Sequence, residues 1–357
     1  MNKLLFLTTA LVASASVARA DVNVLSWGGA YGNSHNEAYI KPFAAETGIK
    51  ISMSDADNPA TPVKAMVEAG NVTVNVASVE YADAVRLCDE GLLEEIDPAV
   101  LLPAADGTAA IDDFIDGAVT PCFIGTDVYT MAIAFDDSKF ADAKPASPAD
   151  FFDTTKFPGK RTMRKGAKFN LEFALMADGV PAAEVYELLG TPEGVDRAFA
   201  KLETIKKDVI WWEAGSQAPQ LLADGEVAMA YAFNGRIFSA ATTDNKPFKI
   251  VWDGQVYEME GWVVPKGAPD LEDAMKFIAF STGTAPQARA AEFISYGPPR
   301  ASAAAAVGNF DGTDIPMGPN LPTTAANMTN ALASNLDFWV DHDAELNERF
   351  NSWLLAN

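Results

Sequence analysis

The stretch VNVLSWGGAYGNSHNEAYIKPFAAETGIKI, residues 22–51, runs from an apolar segment into a tryptophan and three glycines, then through polar, helix-like sequence to a second apolar segment. VNVLSW and IKISMSD read as strands flanking a helix around residues 36–46, which makes a βαβ unit. The turn after the first strand decides which kind of unit this is. Gly28, Gly29 and Gly32 do not spell G-x-G-x-x-G, and no Gly-Lys-Ser/Thr follows, so neither a dinucleotide fingerprint nor a phosphate loop is present. Asp55 lies at a suggestive distance for a ribose-binding acid, but the glycine pattern before it is wrong. In a second reading the glycines let a backbone approach a ligand while Trp27 projects beside it, at the carboxyl end of a strand where open α/β sheets bind ligands. A plain turn with Trp27 in the core remains the other possibility.

Residues 1–20 set the compartment. Lys3, an apolar run from Leu4 to Val12 and the ending Ala18-Arg19-Ala20 predict a Sec-type signal peptide and a periplasmic mature chain starting near Asp21. The apolar run falls well short of the ~20 residues that span a bilayer. Removing the peptide takes away Lys3 and Arg19 and no acid, leaving 24 basic against 49 acidic residues, a net charge of −25. Such a chain is a poor partner for nucleic acid or anionic membranes. The two cysteines, Cys88 and Cys122, are expected to pair in an oxidising compartment, closing a loop of ~35 residues.

About 337 mature residues exceed what one core usually supports, so two lobes are expected. Short strands alternate with amphipathic helices, which predicts an α/β fold. In TPEGVDRAFAKLETIKK, Thr191 reads as an N-cap and Pro192 as the first helical residue, with Val195, Phe199, Leu202 and Ile205 on one face. SPADFFD opens with the same device. EVAMAYAF (226–233) and GWVVP (261–265) read as buried strands, and 300–330 as surface loop. No G-x-S-x-G, H-E-x-x-H or S-x-x-K occurs. A periplasmic enzyme using Glu213, Glu172 or Glu260 as acid-base groups is therefore a remote alternative, and no cofactor or metal is expected. Ferric-iron capture would want clustered tyrosines, and no adjacent pair exists.

W-G-G-x-Y with FAAETGIKI, then VRLCDEGLLEEID (85–97), FPGKRTMRKGAKFNLEFALMADGV (157–180), WWEAGSQAPQLLADGEVAMAYAFNGR (211–236) and YEMEGWVVPKG (257–267) together resemble the polyamine-type (spermidine/putrescine) solute-binding proteins of bacterial ABC importers. The likeness covers most of residues 21–305. It implies the periplasmic binding protein type II fold: two α/β lobes, a ligand cleft, and hinge crossings near residues 126–132, 252–258 and 300–304. The implied division is 21–128 with 258–302 in lobe 1, and 129–257 with 303–357 in lobe 2. Both cysteines then lie in lobe 1, so their bond staples that lobe without locking the clamp. The partners implied are a small amine or amino-acid ligand and an inner-membrane ABC permease, with the binding protein a monomer.

In that family carboxylates neutralise ammonium groups and aromatic rings line the methylene chain. The resemblance places Trp27, with Gly28, at the end of the first strand, Glu80 or Tyr81 in the first lobe, Glu260 before the strand that leads to Val264, and Phe233 where a tryptophan is usual. Two departures count against a diamine. Arg236 stands where polyamine binders tend to carry an acid, and Phe169, beside Asn170, replaces another. Arg236 near a second ammonium costs about 4 kcal/mol at roughly 4 Å and an effective dielectric of about 20. Arg236 suits a carboxylate instead, and Glu260 an amine. Together they describe a slot for a zwitterion with separated charges such as 4-aminobutyrate (GABA), with polyamine the alternative. Arg236 pairing with Glu260, or facing solvent, are the competing readings.

Of Trp211 and Trp212, one faces the cleft and the other the core. Gln217 is expected to donate to a carboxylate from a helix start, and Tyr296 to cover the ligand. Trp262 reads as pocket or core, and Arg300 as a hinge or surface residue. The basic run KRTMRKGAK (160–168) reads as a solvated face, or else as part of a permease-docking surface.

Overall fold

The computed structural model describes residues 22–356, so the expected signal peptide lies outside the described residues. Among the described residues ten strands form: β1 Val22–Ser26, β2 Ile51–Asp55, β3 Val76–Glu80, β4 Val119–Thr120, β5 Phe123–Asp136, β6 Arg161–Arg164, β7 Val209–Trp212, β8 Met229–Phe233, β9 Phe248–Val263 and β10 Leu332–Ala333. They pair in the order β2-β1-β3-β9-β5-β8-β6-β7, with β4 on β5 and β10 on β9. β1 runs parallel to β2 and β3, and β6 runs parallel to β7 and β8, the arrangement that helical crossovers produce. β9 and β5 are antiparallel to each other, β9 to β3 and β5 to β8, while β10 runs parallel to β9. The fold is the expected α/β type, with two lobes.

β5 and β9 belong to both halves. Ile124 faces Trp262 at one end of their ladder and Asp136 faces Phe248 at the other, with register shifts between Gly125 and Asp127 and between Met131 and Ile133. Such irregularities bend and twist a ladder locally. Apolar side chains gather on either side of this region: Val24, Tyr39, Phe43, Trp262 and Phe277 in one core, Phe157, Phe173, Phe199, Tyr231 and Trp339 in the other. Cys88 and Cys122 are bonded, with Cα atoms 6.0 Å apart, and pack with Leu87, Leu93 and Phe123.

Local chemistry explains several elements. Thr191 accepts from the Gly194 amide and caps the helix Pro192–Glu203, as expected. Ser147 caps Pro148–Phe152 in the same way. The helix after the first strand begins earlier than read, at Gly29, because Gly28 takes φ 71°, ψ −171°, a conformation open essentially to glycine alone. A Cβ there would also sit 2.8 Å from Asp55 Oδ2. GWVVP proves to be only the end of the 16-residue β9. Residues 300–330 are partly buried: Met317 and Leu321 pack on Phe238. Arg300 is not on the surface but fully buried, bonded to Asp113 Oδ2 at 2.5 Å and to the carbonyls of Thr282 and Leu102.

The helix Leu336–Leu355 closes the second core. Its Trp339 Nε1 donates to Glu172 Oε1 at 2.8 Å, as does the Tyr186 hydroxyl at 2.9 Å. Glu172 is fully buried and its second oxygen has no partner among the described residues; burial raises its carboxyl from 4.5 to about 7. A folded-state pKa above the unfolded value means the stabilisation is complete below the unfolded value and is lost as pH climbs through about 7. The melting temperature should fall between pH ~5 and ~8, with Glu172 contributing on the order of 3 kcal/mol. Glu172→Gln should make that fall shallower; an unchanged slope would contradict the assignment.

Candidate ligand-binding site

The carboxyl ends of β1, β3, β7 and β8 point to one place, as expected for ligand sites of open α/β sheets. Trp27 follows β1, Glu80 ends β3, Trp212 ends β7 and Phe233 ends β8. All four line a cavity of about 450 Å³ together with Tyr31, Tyr129, Arg164, Arg236, Glu260 and Tyr296. That volume suits a small solute.

The sequence Phe233-Asn234-Gly235-Arg236 positions the cationic end. Asn234 is fully buried at the start of the helix Asn234–Thr242; its Oδ1 accepts from the Thr130 amide at 3.1 Å and its Nδ2 donates to the Ser295 carbonyl. Gly235 is required because a Cβ there would come within 2.6 Å of the Tyr296 ring. Arg236 then extends past Gly215, whose added Cβ would meet Nε at 2.8 Å, towards Gly29, 3.8 Å from Nη1 by the same measure. Half-buried, it forms no ion pair within 4.0 Å among the described residues. Phe233 packs edge-on against Tyr129 and Trp212, at 5.6 and 5.7 Å.

The anionic end is built on the sheet. Glu260 on β9 sits opposite Glu80 on β3 and Asp127 on β5, while Glu258, two residues earlier on the same face, sits opposite Tyr129. Lys168 bonds Glu258 at 2.6 Å and lies 3.6 Å from Glu80. The Tyr129 hydroxyl donates to the other oxygen of Glu258 at 2.7 Å. Burial raises the Glu80 carboxyl, but Lys168 and Arg164 outweigh this and hold it below its ordinary value. Burial keeps Glu258 raised despite Lys168. Glu260 rises well above its ordinary value, through burial first and then the Asp127 charge. Its Oε2 is buried without a hydrogen-bond partner among the described residues. A buried, unanswered carboxylate beside a cavity is suited to receive a cation.

Trp27, Glu80, Trp212, Phe233, Arg236, Glu260 and Tyr296 are thus brought together, with Gly28 supporting the turn beside Trp27. Four expected cleft residues lie elsewhere. Phe169 is fully buried in the second core, and Trp262 in the first, where its Nε1 donates to Ser281. Gln217 turns its Oε1 back onto the Glu213 and Ala214 amides, which closes its own helix start. Tyr81 packs on Phe123 at 5.0 Å. Trp211 lies against Phe350 and Trp353 of the last helix. The basic run is not a solvated face. Arg161 is wholly buried, donating to the carbonyls of Phe151, Gly159 and Phe157; Arg164 lines the cavity and Lys168 joins the acids.

Sequence reasoning passed over Tyr31, Asp127, Tyr129, Arg164, Lys168 and Glu258. A signal existed for some of them: Asp127 and Tyr129, like Glu258 and Glu260, are polar residues at alternate positions of a strand, which places each pair on one face. Among the described residues, no cluster of three or more His, Cys, Asp or Glu is arranged to hold a metal ion, and no helix is long and apolar enough to cross a membrane.

A γ-aminobutyric acid-binding protein of Pseudomonas aeruginosa is 42% identical over 344 residues, 96% of this chain and 94% of that protein. A solved structure described as a GABA receptor is 32% identical with a TM-score of 0.79, covering 94% of this chain and 98% of that one. The likeness to the structure of a spermidine/putrescine substrate-binding protein of Streptococcus pneumoniae, 16% identical with a TM-score of 0.71 over 93% and 99% of the two chains, is one of fold. The polyamine label read from the sequence is therefore too narrow. Residues 38–323 match the family of bacterial extracellular solute-binding proteins, and the chain belongs to that family.

Proposed function

We propose that the protein captures 4-aminobutyrate or a related ω-amino acid in the periplasm and presents it to an inner-membrane ABC permease. The observation that carries this reading is the presence of Arg236 and Glu260 in one ring-lined cavity, the first without an ion pair and the second with a buried, unpartnered oxygen, among the described residues. Arg236 takes the carboxylate by a fork of two N–H bonds, Glu260 takes the ammonium, and Trp27, Phe233 and Tyr296 enclose the methylenes. The GABA-binding relative and the GABA receptor structure support this choice of ligand. A diamine would set its second ammonium against Arg236, with Arg164 also on the cavity wall.

The lobes, residues 21–128 with 258–302 and residues 129–257 with 303–357, close on the ligand as a monomeric clamp. Closure desolvates both charges and tolerates only a solute that answers both. A receptor that must surrender its ligand is expected to bind at about micromolar Kd, roughly −8 kcal/mol. Calorimetry against 4-aminobutyrate, shorter and longer ω-amino acids, putrescine and spermidine tests the reading. Heat is expected with 4-aminobutyrate and none with putrescine; the reverse pattern, or silence throughout, would overturn it.

A further inference from the structure

Asp127 entered neither the residue patterns of the sequence nor the pair of charges proposed above. On β5 it stands directly opposite Glu260, which itself stands opposite Glu80, so three carboxylates form one cross-strand row. Opposed residues of this kind carry their Cβ atoms ~4.5–5.5 Å apart. Lys168 forms ion pairs with Glu80 and Glu258, but among the described residues no cation pairs with Asp127 or Glu260. The Tyr31 hydroxyl donates its one proton to Asp127 Oδ2 at 2.9 Å and also interacts with the Glu260 carboxyl. That proton serves one acid at a time. Asp127 Oδ1 and Glu260 Oε2 are both buried without partners.

We infer that Asp127 is the second acid of the ammonium subsite, sharing a single proton with Glu260 in the empty cleft, and that an incoming ammonium displaces this proton to solvent. The inference rests on the ω-amino-acid reading for the identity of the cation. The charge balance is simple: a ligand carrying its own ammonium enters, one proton leaves, and two carboxylates then flank one cation. Burial raises the Asp127 carboxyl to about 7, against the bonds from Tyr31 and Thr126, and Glu260 is raised by burial and by Asp127. The other groups facing the pair are Tyr31 from the helix after β1, Glu80 from β3, Tyr129 from β5, Glu258 from β9, Tyr296 and Arg236 from the second wall of the cleft, and Tyr39, which feels the Asp127 charge. Lys168 and Arg164 act on this set through Glu80 and Glu258.

The test is calorimetry of the whole protein with 4-aminobutyrate near pH ~8, above the Asp127 value of about 7, in two buffers of different ionisation enthalpy. Release of about one proton per ligand is expected, with affinity tightening about tenfold per pH unit around that pH. Asp127→Asn should bind with less proton release, because Glu260 then lacks the neighbouring charge that adds to the effect of its burial. Heat without buffer dependence in the natural protein, or unchanged release in Asp127→Asn, overturns the shared proton while leaving the ω-amino-acid reading intact. If no heat appears, that reading fails and the proton is read directly in the ligand-free protein. The infrared difference spectrum, natural minus variant, should show one protonated carboxyl lost in Asp127→Asn and in Glu260→Gln. Identical spectra overturn the inference. Melting curves confirm that the variants fold, and the buffer dependence of the natural protein needs no variant.

Discussion

Arg236→Ala is expected to abolish binding of every ligand that presents a carboxylate, with a loss of affinity on the order of a hundredfold to a thousandfold. Removing one member of a buried, hydrogen-bonded charge pair costs about 2–5 kcal/mol, much of it from stranding the other charge without a partner. The ligand carboxylate would be that stranded group, held between Phe233 and Tyr296 with only Arg164 in the cavity wall to answer it. Fold and stability should hardly change, because Arg236 is half-buried and has no ion pair to lose among the described residues. Calorimetry on the variant beside its melting curve separates the two effects. Undiminished affinity for 4-aminobutyrate would contradict the role given to Arg236.

The second large effect concerns stability. Arg300→Met should lower the unfolding free energy by about 3–5 kcal/mol, because Asp113 is left buried without its cation. Asp113 also accepts from the amide and hydroxyl of Ser302, so the lost ion is part of a network. The consequence reaches the cleft. Arg300 anchors the segment in which Gly297 pairs with Val128, and Gly297 follows the cavity residue Tyr296. Urea titration monitored by tryptophan fluorescence reads the loss as a lower midpoint. Changing both partners, as Arg300→Met with Asp113→Leu, should recover part of it; a single variant as stable as the natural protein would contradict the buried pair.

Where structure follows from neighbours in the chain, it was legible. Thr191-Pro192 announced a helix start, and MAYAF a buried strand, because capping and side-chain alternation are local effects. Arg236 and Glu260 were singled out as departures from, and matches to, a resembling family, and they do share a cavity. The reach of β9 was not legible: Asp253, Gly254 and the acids at 258 and 260 interrupt its apolar pattern, and the strand is held along its length by pairing with β5, with β3 and β10 adding to it. The basic run misled for a related reason. Backbone carbonyls of the segment just before the strand, at Phe151, Asp153, Phe157 and Gly159, satisfy Arg161, and two acids on other strands satisfy Lys168. Phe169 was placed in the cleft because it stands where the resembling family tends to carry an acid, and Trp262 was left between pocket and core. Phe169 takes φ 72° and its side chain is buried in the core, while the neighbouring Lys168 pairs with the acids of the cleft. Such turns depend on partners far along the chain, and adjacency in sequence does not reveal them.

The central claim is that one cleft holds a cation-binding and an anion-binding end at the separation of an ω-amino acid. A crystal structure of the protein grown with 4-aminobutyrate tests it most directly. The ligand carboxylate should lie on the Arg236 guanidinium and its ammonium on Glu260 and Asp127, with the methylenes against Trp27 and Phe233. A ligand bound in the reverse sense, or a cleft that closes with Arg236 on Glu260 and excludes the ligand, would contradict it.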